Sequence, residues 1–324
     1  VALTEFAMIA RYFSNSALSA GADDIILGIG DDAAVLEVPQ GQQLVVAADT
    51  LVESVHFPAA SAGELVGFRA LATNLSDMAA MGAQPRWYTL CLTAPKLDPA
   101  WLESFCRGLA GAAAGTGVSL VGGDTTAGPL SVSIQIMGLV ATGTALTRSG
   151  AQPGDAIYVT GSLGDAAAGL ELLQAEKTPA RQFDDFLRMR FSRPQPRLQE
   201  AALLRGMATS CIDISDGLLA DLGHICECSS VGARLELDAI PVSAELFAYA
   251  GKRAHNLATS GGDDYELCFT VPAHCAAQLE KAFQGHGLHI TRIGTVVARP
   301  GIQCFDSQGK LVESARSGFQ HFAD

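Results

Sequence analysis

The sequence predicts two mixed domains of class α/β (α+β), and three observations predict it. The chain has 324 residues, room for two domains of ordinary size. Strand-like and helix-like segments alternate along both halves, the pattern of sheets covered by helices. A polar, turn-rich stretch, Arg148-Ser149-Gly150-Ala151-Gln152-Pro153-Gly154-Asp155, interrupts that alternation near the middle. Domains of 1–147 and 148–324 follow. Apolar residues make up 48% of the chain, enough to bury a sizeable core.

The leading segment, VALTEFAMIARYF, has apolar residues at helical spacing with Glu5 and Arg11 among them. It reads as an amphipathic helix over about 3–15 rather than a secretory signal. The run Ile25-Ile26-Leu27 then leads into Gly28-Ile29-Gly30-Asp31-Asp32-Ala33. A hairpin is expected next, Val35–Val38 against Leu44–Val46 around Pro39-Gln40-Gly41. A helix at about 63–81, a strand at about 86–93, a helix at about 99–115 and strands at about 117–121 and 130–141 complete the first half. The uncharged run Pro129–Thr147 approaches the length of a membrane span. Within it, however, Ser131, Ser133 and Gln135 alternate with Leu130, Val132, Ile134 and Ile136, which is the period of a half-buried strand.

The second half opens with a strand at about 156–160, a Gly161-Ser162-Leu163-Gly164 turn and a helix to about 174. Helices at about 181–191 and 196–207 come next. A strand at about 210–213 and a helix at about 218–228 follow, then a strand at about 233–237 and a helix at about 243–250. A strand at about 265–271, a helix at about 273–285 and a strand at about 288–298 end the pattern.

Charge and cysteine usage exclude several classes. Acidic residues outnumber basic ones by 34 to 21, a net charge of −13, so no nucleic-acid groove is expected. The densest basic cluster, Arg188 to Arg197, is interrupted by Pro194 and Pro196 and reads as a solvated linker. The eight cysteines are scattered through apolar stretches, which points to structural thiols in the reducing cytoplasm. His224, Cys226 and Cys228 do not share one helix face, so they read as structural too.

The informative pattern is where the aspartates fall. The run Leu44–Ala48 leads to Asp49, Val118–Val121 to Gly122-Gly123-Asp124, Cys211-Ile212 to Asp213-Ile214-Ser215-Asp216-Gly217, and Ile25–Leu27 to Asp31-Asp32. Ligands gather outside the carboxyl ends of strands, so these acids are expected to line one site. Asp77 joins them from an otherwise apolar helix, with Asn74 one turn earlier on the same face. For any single aspartate, a turn former or helix N-cap is the plain alternative, and Ser215 or Asp216 could cap the helix that follows. Convergent carboxylates repel by about 4 kcal/mol per pair at ~4 Å and an effective dielectric near 20. Cations must then lie between them, and an all-oxygen donor set selects Mg²⁺ or Mn²⁺ over zinc. Phosphate bound through such ions is the arrangement of phosphoryl transfer.

Two other phosphate motifs fail. Gly251-Lys252 and Gly309-Lys310 lack the Ser or Thr of a P-loop. GIGDDA fits G-x-G-x-x-A, but Pro39 breaks the segment where a dinucleotide fingerprint needs a helix.

The stretches GIGDDAAVL, AADTLVESVHF, ALATNLSDMAAMGAQP, LVGGDTT, ALTRSGAQPGDAIYVTGSLGDAAAGL, IDISDGLLADLGHI and SGGDDYELCFTV, in that order, together resemble the thiamine-monophosphate kinase family. The resemblance runs from residue 5 to Gly318-Phe319-Gln320-His321-Phe322. It implies the aminoimidazole-ribonucleotide synthetase-like fold of that superfamily. There an N-terminal domain binds ATP and Mg²⁺ and contributes strands to a dimer barrel, and a C-terminal α/β domain completes the nucleotide and substrate site. The implied reaction, the last step of thiamine diphosphate biosynthesis, transfers the ATP γ-phosphate directly to thiamine monophosphate.

Carried over by motif, Asp32 (with Asp31 second), Asp49, Asp77, Asp124, Asp213 and Asp216 match Mg²⁺ ligands. Asp49, Asp77, Asp124 and Asp213 are the catalytic set, acting through metal with no separate base. Gly123, Asp124, Arg148 and Ser215 match ATP contacts, and His56, Asp263 and Phe319 match contacts to thiamine monophosphate. Phe319 as a core aromatic and His56 as a surface histidine stay open. The resemblance also implies a cytoplasmic homodimer that binds neither nucleic acid nor membrane, and leaves a monovalent cation open. Two positions depart from the family pattern. Ala47-Ala48 stand where relatives carry Ser-Thr, which leaves the Ala48 carbonyl as the metal contact there, and Asp263 stands where relatives carry Glu.

Sister enzymes fit less well. A selenophosphate synthetase needs a reactive cysteine near the N-terminus, and the first here is Cys91; the chain ends His321-Phe322-Ala323-Asp324 without the terminal cysteine of a maturation factor. The aminoimidazole-ribonucleotide synthetase motif D-G-x-G-T-K is replaced by Asp49-Thr50-Leu51-Val52-Glu53. A non-catalytic nucleotide- or metal-binding module would keep the acids without needing His56, Asp263 and Phe319.

Overall fold

The computed structural model describes residues 9–14, 17–19, 23–96, 98–175 and 183–312. Two compact units emerge, Val1–Met78 with Ala83–Gly143, and Ala79–Gly82 with Thr144–Asp324. Most of the leading helix falls outside the described residues; what is described is one wide helical turn, Ile9–Phe13.

In the first unit, β1 (Ile25–Leu27) and β2 (Val35–Leu36) form their own two-stranded antiparallel sheet. This corrects the expected hairpin: Val35-Leu36 pairs backward with β1, not forward with the next strand. Pro39 supplies no amide and the intervening segment is too short in strand-forming residues to carry a ladder. The main sheet contains β3 (Gln42–Val52), β4 (Gln84–Ala94), β5 (Ser119–Ala127) and β6 (Ser131–Ala141). Its order is β3-β6-β4-β5, antiparallel except for the β4–β5 pair. The run Pro129–Thr147 thus supplies a strand, and no described helix is long and apolar enough to cross a membrane.

Helix α1 (Gly63–Ala80), apart from its last two residues, and helix α2 (Pro99–Ala113) complete the first unit. Asp98 caps α2 by accepting from the Ala100 amide at 3.0 Å, with Pro99 just inside. The two helices touch backbone to backbone. A Cβ at Gly67 would lie 2.2 Å from the Phe105 carbonyl oxygen, and one at Gly108 would lie 2.1 Å from that of Glu64. Glycine is required at both by this approach. Along α1, Ala70, Leu71, Ala72, Leu75, Met78 and Ala79 are all buried, so this helix has almost no solvent face.

The second unit holds a seven-stranded sheet: β7 (Ala156–Thr160), β8 (Ser210–Asp213), β9 (Gly232–Glu236), β10 (Leu267–Val271), β11 (Ile290–Val297), β12 (Gly301–Phe305) and β13 (Leu311–Val312). The order is β13-β12-β9-β11-β7-β10-β8, and only β12–β9 is parallel. Every residue of β7 is buried. Ile157 and Val159 join a core with Leu218, Leu222 and Ile225, whereas Tyr158 joins Phe269, Leu279 and Phe283 on the other side. A strand apolar on both faces is the mark of a sheet covered on both faces.

The helices are α3 (Asp165–Gln174), α4 (Asp184–Ser192), α5 (Leu198–Leu204), α6 (Leu218–Ser229), α7 (Ala244–Ala250), α8 (Ala254–Ser260) and α9 (Ala276–Gly285). Sequence periodicity missed α8, β12 and β13. These are short, and their local patterns differ little from loops.

Candidate active site

In the first unit, a cavity of about 610 Å³ lies between the Gly28–Ala34 loop and the middle of β5. Asp31, Asp32, Gly123 and Asp124 line it together. Asp31 turns one carboxylate oxygen back onto the Asp32 amide at 2.8 Å, while Asp32 is exposed. The β1–β2 pair is tied down by Asp24. Its carboxylate receives Arg86 Nε at 2.8 Å, Arg86 Nη2, and Trp87 Nε1 at 3.3 Å. Gly123 has φ +153°, and a Cβ there would lie 1.9 Å from the Leu90 carbonyl oxygen. Only glycine fits so close to the neighbouring strand.

Asp49 and Asp124 do not sit where strand-end reasoning put them. Both lie within strands, because the β3–β6 ladder continues to Val52–Ser131 and the β4–β5 ladder to Ala94–Ala127. Asp49 belongs to the row Asp49–Ile134–Leu90–Gly123, and Asp124 to the adjacent row Thr50–Ser133–Cys91–Asp124. Adjacent rows point to opposite faces of a sheet, so the two carboxylates are on opposite sides. Asp49 shares its side with buried Ile134 and Leu90, and Asp124 is exposed. Ala48 is in the row of Gln135.

Just beyond β3, His56 closes a turn. Its Nδ1 accepts from the Val52 amide at 3.0 Å, and its own amide donates to the Val52 carbonyl at 2.9 Å. With Nδ1 accepting, the neutral ring carries its proton on Nε2. Asp77 is half-buried near the end of α1. One turn earlier, Asn74 donates from Nδ2 to the Ala70 carbonyl at 2.9 Å, and its buried Oδ1 has no hydrogen-bond partner.

In the second unit, Asp213 ends β8 and is buried, as strand-end reasoning expected. Ser215 and Asp216 follow in the loop before α6. The N-cap residue of that helix is Gly217, which has no side chain to offer it. Instead Asp221, in the first helical turn, turns back. Its Oδ2 accepts from the amides of Ser215, Asp216 and Gly217 at 3.0, 3.0 and 3.1 Å. Burial, then the charges of Asp213 and Asp216, push the Asp221 carboxyl up to about 7 against the pull of those amides.

The segment carrying Asp263 is bonded to this loop. The amides of Asp263 and Tyr265 donate to the carbonyls of Ser215 and Ile214, each at 2.8 Å. Asp263 and Tyr265 both adopt positive φ, +71° and +51°, a strained conformation typical of functional segments. Between them, Asp264 is buried and accepts from the amides of Gly164 at 2.6 Å and Ala166 at 3.2 Å. Burial pushes its carboxyl up to about 8.

Fully buried Glu266 accepts from Arg190 Nη2 at 2.8 Å, Arg197 Nε at 2.6 Å and Thr160 Oγ1 at 2.6 Å. This corrects the reading of the Arg188–Arg197 cluster as a solvated linker: two of its arginines neutralise one interior carboxylate. Burial alone would raise the Glu266 carboxyl, but the arginines outweigh it and hold it below the ordinary value. Spacing gave no hint of the pairing, because 69 residues separate Arg197 from Glu266.

Arg148 is exposed in the turn after Thr147, whose carbonyl accepts from the Cys211 amide of β8 at 2.8 Å. Phe319 lies outside the described residues. The cysteines are all free.

The donor set fits a hard cation. The candidate ligands are carboxylates and a carbonyl, and the unsatisfied Asn74 Oδ1 is also oxygen. Among the described residues, no group of three or more His, Cys, Asp or Glu side chains forms a metal cage by itself. Mg²⁺ needs no such cage when water and substrate phosphates complete its shell.

The chain matches AIR synthase related protein, N-terminal domain, over residues 30–140, and AIR synthase related protein, C-terminal domain, over residues 152–307. It is 47% identical over 326 residues to thiamine-monophosphate kinase of Escherichia coli (strain K12), covering 100% of this chain and 99% of that protein. Against thiamine-monophosphate kinase of Bacillus subtilis (strain 168) the identity is 34%, covering 91% and 93%. Among solved structures, thiamine-monophosphate kinase from Stenotrophomonas maltophilia K279a superposes with a TM-score of 0.87 at 44% identity, covering 96% of this chain and 98% of that one. The structure of AaThiL complexed with AMPPCP and TMP superposes at 0.79 with 32% identity, covering 99% and 97%. Matching both domain families and aligning end to end at these identities, the chain belongs to the thiamine-monophosphate kinase family of AIR synthase related proteins.

Proposed function

We propose that the protein phosphorylates thiamine monophosphate with ATP, giving thiamine diphosphate and ADP in the last step of thiamine diphosphate biosynthesis. A terminal phosphate oxygen of thiamine monophosphate forms the new bond to the γ-phosphorus, in line with the breaking bond to the ADP oxygen. The acceptor oxygen is already anionic at neutral pH, so no general base is assigned. The observation that carries this reading is the cavity where Asp32, Gly123 and Asp124 meet, in a chain alike over its full length to thiamine-monophosphate kinases.

The roles divide by residue. Asp32, Asp49, Asp77 and Asp124 of the first unit, with the Ala48 carbonyl, and Asp213 and Asp216 of the second would hold Mg²⁺. When bound, the ions neutralise phosphate charge and align the reacting groups. More than one ion is needed, since Asp49 and Asp124 occupy opposite faces of one sheet. The Gly123 backbone, Asp124, Arg148 and Ser215 would contact ATP, Arg148 by its bidentate fit to phosphate. His56, Asp263 and Phe319 would contact thiamine monophosphate.

We also infer a homodimer with the first domain at its interface, built as a barrel of strands from both copies. Leu44 and Val46 are half-exposed on one face of edge strand β3, and a bare apolar edge calls for cover. Sedimentation giving only monomer would overturn this. Free thiols throughout fit a cytoplasmic setting.

The kinase assignment is tested by incubating the protein with ATP, MgCl₂ and thiamine monophosphate and separating the products. Thiamine diphosphate and ADP should appear together. ADP formed regardless of thiamine monophosphate would refute the assignment.

A further inference from the structure

Three consecutive amides, those of Ser215, Asp216 and Gly217, converge on a single oxygen, Asp221 Oδ2. Successive amides directed at one point form an anion-binding nest, and here the anion is the protein's own side chain. The arrangement differs from ordinary capping, where a residue before the helix accepts from amides inside it. Asp221 lies inside α6 and accepts from the residues that precede it, so its bonds fix the shape of the loop rather than the start of the helix. Gly217 has φ +120° and its carbonyl accepts from the Asp221 amide at 3.0 Å, while the backbone of Ile214 and Ser215 is bonded to the segment of Asp263–Glu266, itself held in strained conformations.

Asp221 is 2% exposed, and one of its oxygens is already shared by three donors. It is therefore poorly placed to meet ATP or an ion itself. We propose that Asp221 is a positioning residue: it fills the amide nest of the Ile214–Gly217 loop, so the loop meets its ligands through Ser215 and Asp216 rather than through its backbone. A loop with its amides open would favour phosphate, whereas a loop with its amides occupied and two acids beside it favours a cation. The proposal rests on the reading of Asp213 and Asp216 as cation ligands, but not on the identity of the phosphate acceptor.

The test uses Asp221→Asn and Asp221→Ala in the full chain, with Mn²⁺ binding followed by the electron paramagnetic resonance of free Mn²⁺, without nucleotide or turnover. Asparagine keeps a neutral acceptor oxygen for the nest, and alanine keeps none. The expected order of Mn²⁺ affinity is wild type, then Asn about threefold weaker, then Ala at least tenfold weaker. The half-saturating Mg²⁺ concentration in the kinase assay should rise in the same order, with KM for thiamine monophosphate unchanged. Equal losses in both variants would make Asp221 a direct ligand and overturn positioning. Wild-type Mn²⁺ affinity in a folded variant, with or without a lowered melting temperature, would make its role merely structural. If the alanine variant does not fold, the asparagine variant decides, and unchanged affinity there overturns the proposal. Loss of Mn²⁺ binding in the expected order by a protein that does not phosphorylate thiamine monophosphate would sink the kinase reading and leave this one standing.

Discussion

The carbonyl oxygen of Leu90 occupies the place where a side chain at Gly123 would begin, 1.9 Å from an ideal Cβ. Two neighbouring parallel strands are thus locked at the point where β5 enters the cavity with Asp32 and Asp124. Gly123→Ala would force the strands apart or invert the local backbone, at a cost of about 2 kcal/mol or more. Affinity for a non-hydrolysable ATP analogue should fall at least tenfold, measured by calorimetry, along with the melting temperature. A folded variant with wild-type nucleotide affinity would show that β5 does not shape the nucleotide site.

Asp24 ties the β1–β2 pair to Arg86 and Trp87. Asp24→Ala leaves the guanidinium without its carboxylate, and a charged hydrogen bond of this kind contributes about 2 kcal/mol. Because the loop bearing Asp32 springs from that pair, nucleotide affinity should weaken together with stability. Urea unfolding and analogue binding measured on the same variant would separate the two effects.

Glu266→Gln removes the buried carboxylate that Arg190 and Arg197 share, leaving them only the more distant Asp165 at 3.6 Å and Glu200 at 3.4 Å. Breaking a buried pair by removing one partner costs about 3–5 kcal/mol, so a large drop in melting temperature is expected. The Glu266 carboxyl is held below its ordinary value of 4.5. Its contribution is therefore complete above about pH 4.5 and is lost as pH falls through the lower folded value. Wild-type stability should fall on acidification across that window, and the Gln variant should lack this part of the slope.

Asp264 has the opposite sign. Folding raises its carboxyl from 3.8 to about 8, so between those values the folded chain retains a proton that the unfolded chain releases. Its contribution is fully present below pH 3.8 and is lost as pH rises toward 8. Asp264→Asn should flatten the decline in unfolding free energy between pH 5 and pH 8. An unaltered slope would show that Asp264 is ionised throughout.

Asp49→Asn tests whether the carboxylate serves chemistry or only the strand. The ladder around it is backbone-bonded on both sides of the position, so folding should survive. The expected loss is about a hundredfold in kcat, roughly 2.7 kcal/mol of transition-state stabilisation. Loss of folding with no specific loss of rate would favour the structural role.

How much was legible depended on how local the signal was. The β6 alternation, the buried strand β7 and the nearly all-apolar helix α1 could be read from spacing alone, since each pattern lies within a dozen or so residues. The pairing of Val35-Leu36 could not, because the strand is two residues long and its partner is decided by packing. The acids stand out in the sequence as a recurring pattern; their placement in the fold does not. Asp49 and Asp124 are carried inside ladders whose lengths are set by partner strands. Asp221 was overlooked because an aspartate in a first helical turn is ordinary until the preceding amides are seen to face it.

By itself, the sequence determined the mixed α/β class, the recurring aspartates and the family resemblance, because composition, periodicity and motif are written in consecutive residues. Tertiary structure decided which face each carboxylate occupies, that Arg190 and Arg197 serve Glu266, and that Asp221 fills the nest beneath Ser215 and Asp216. Those outcomes depend on register and long-range burial, and a one-residue change of register would move every side chain of a strand to the other face.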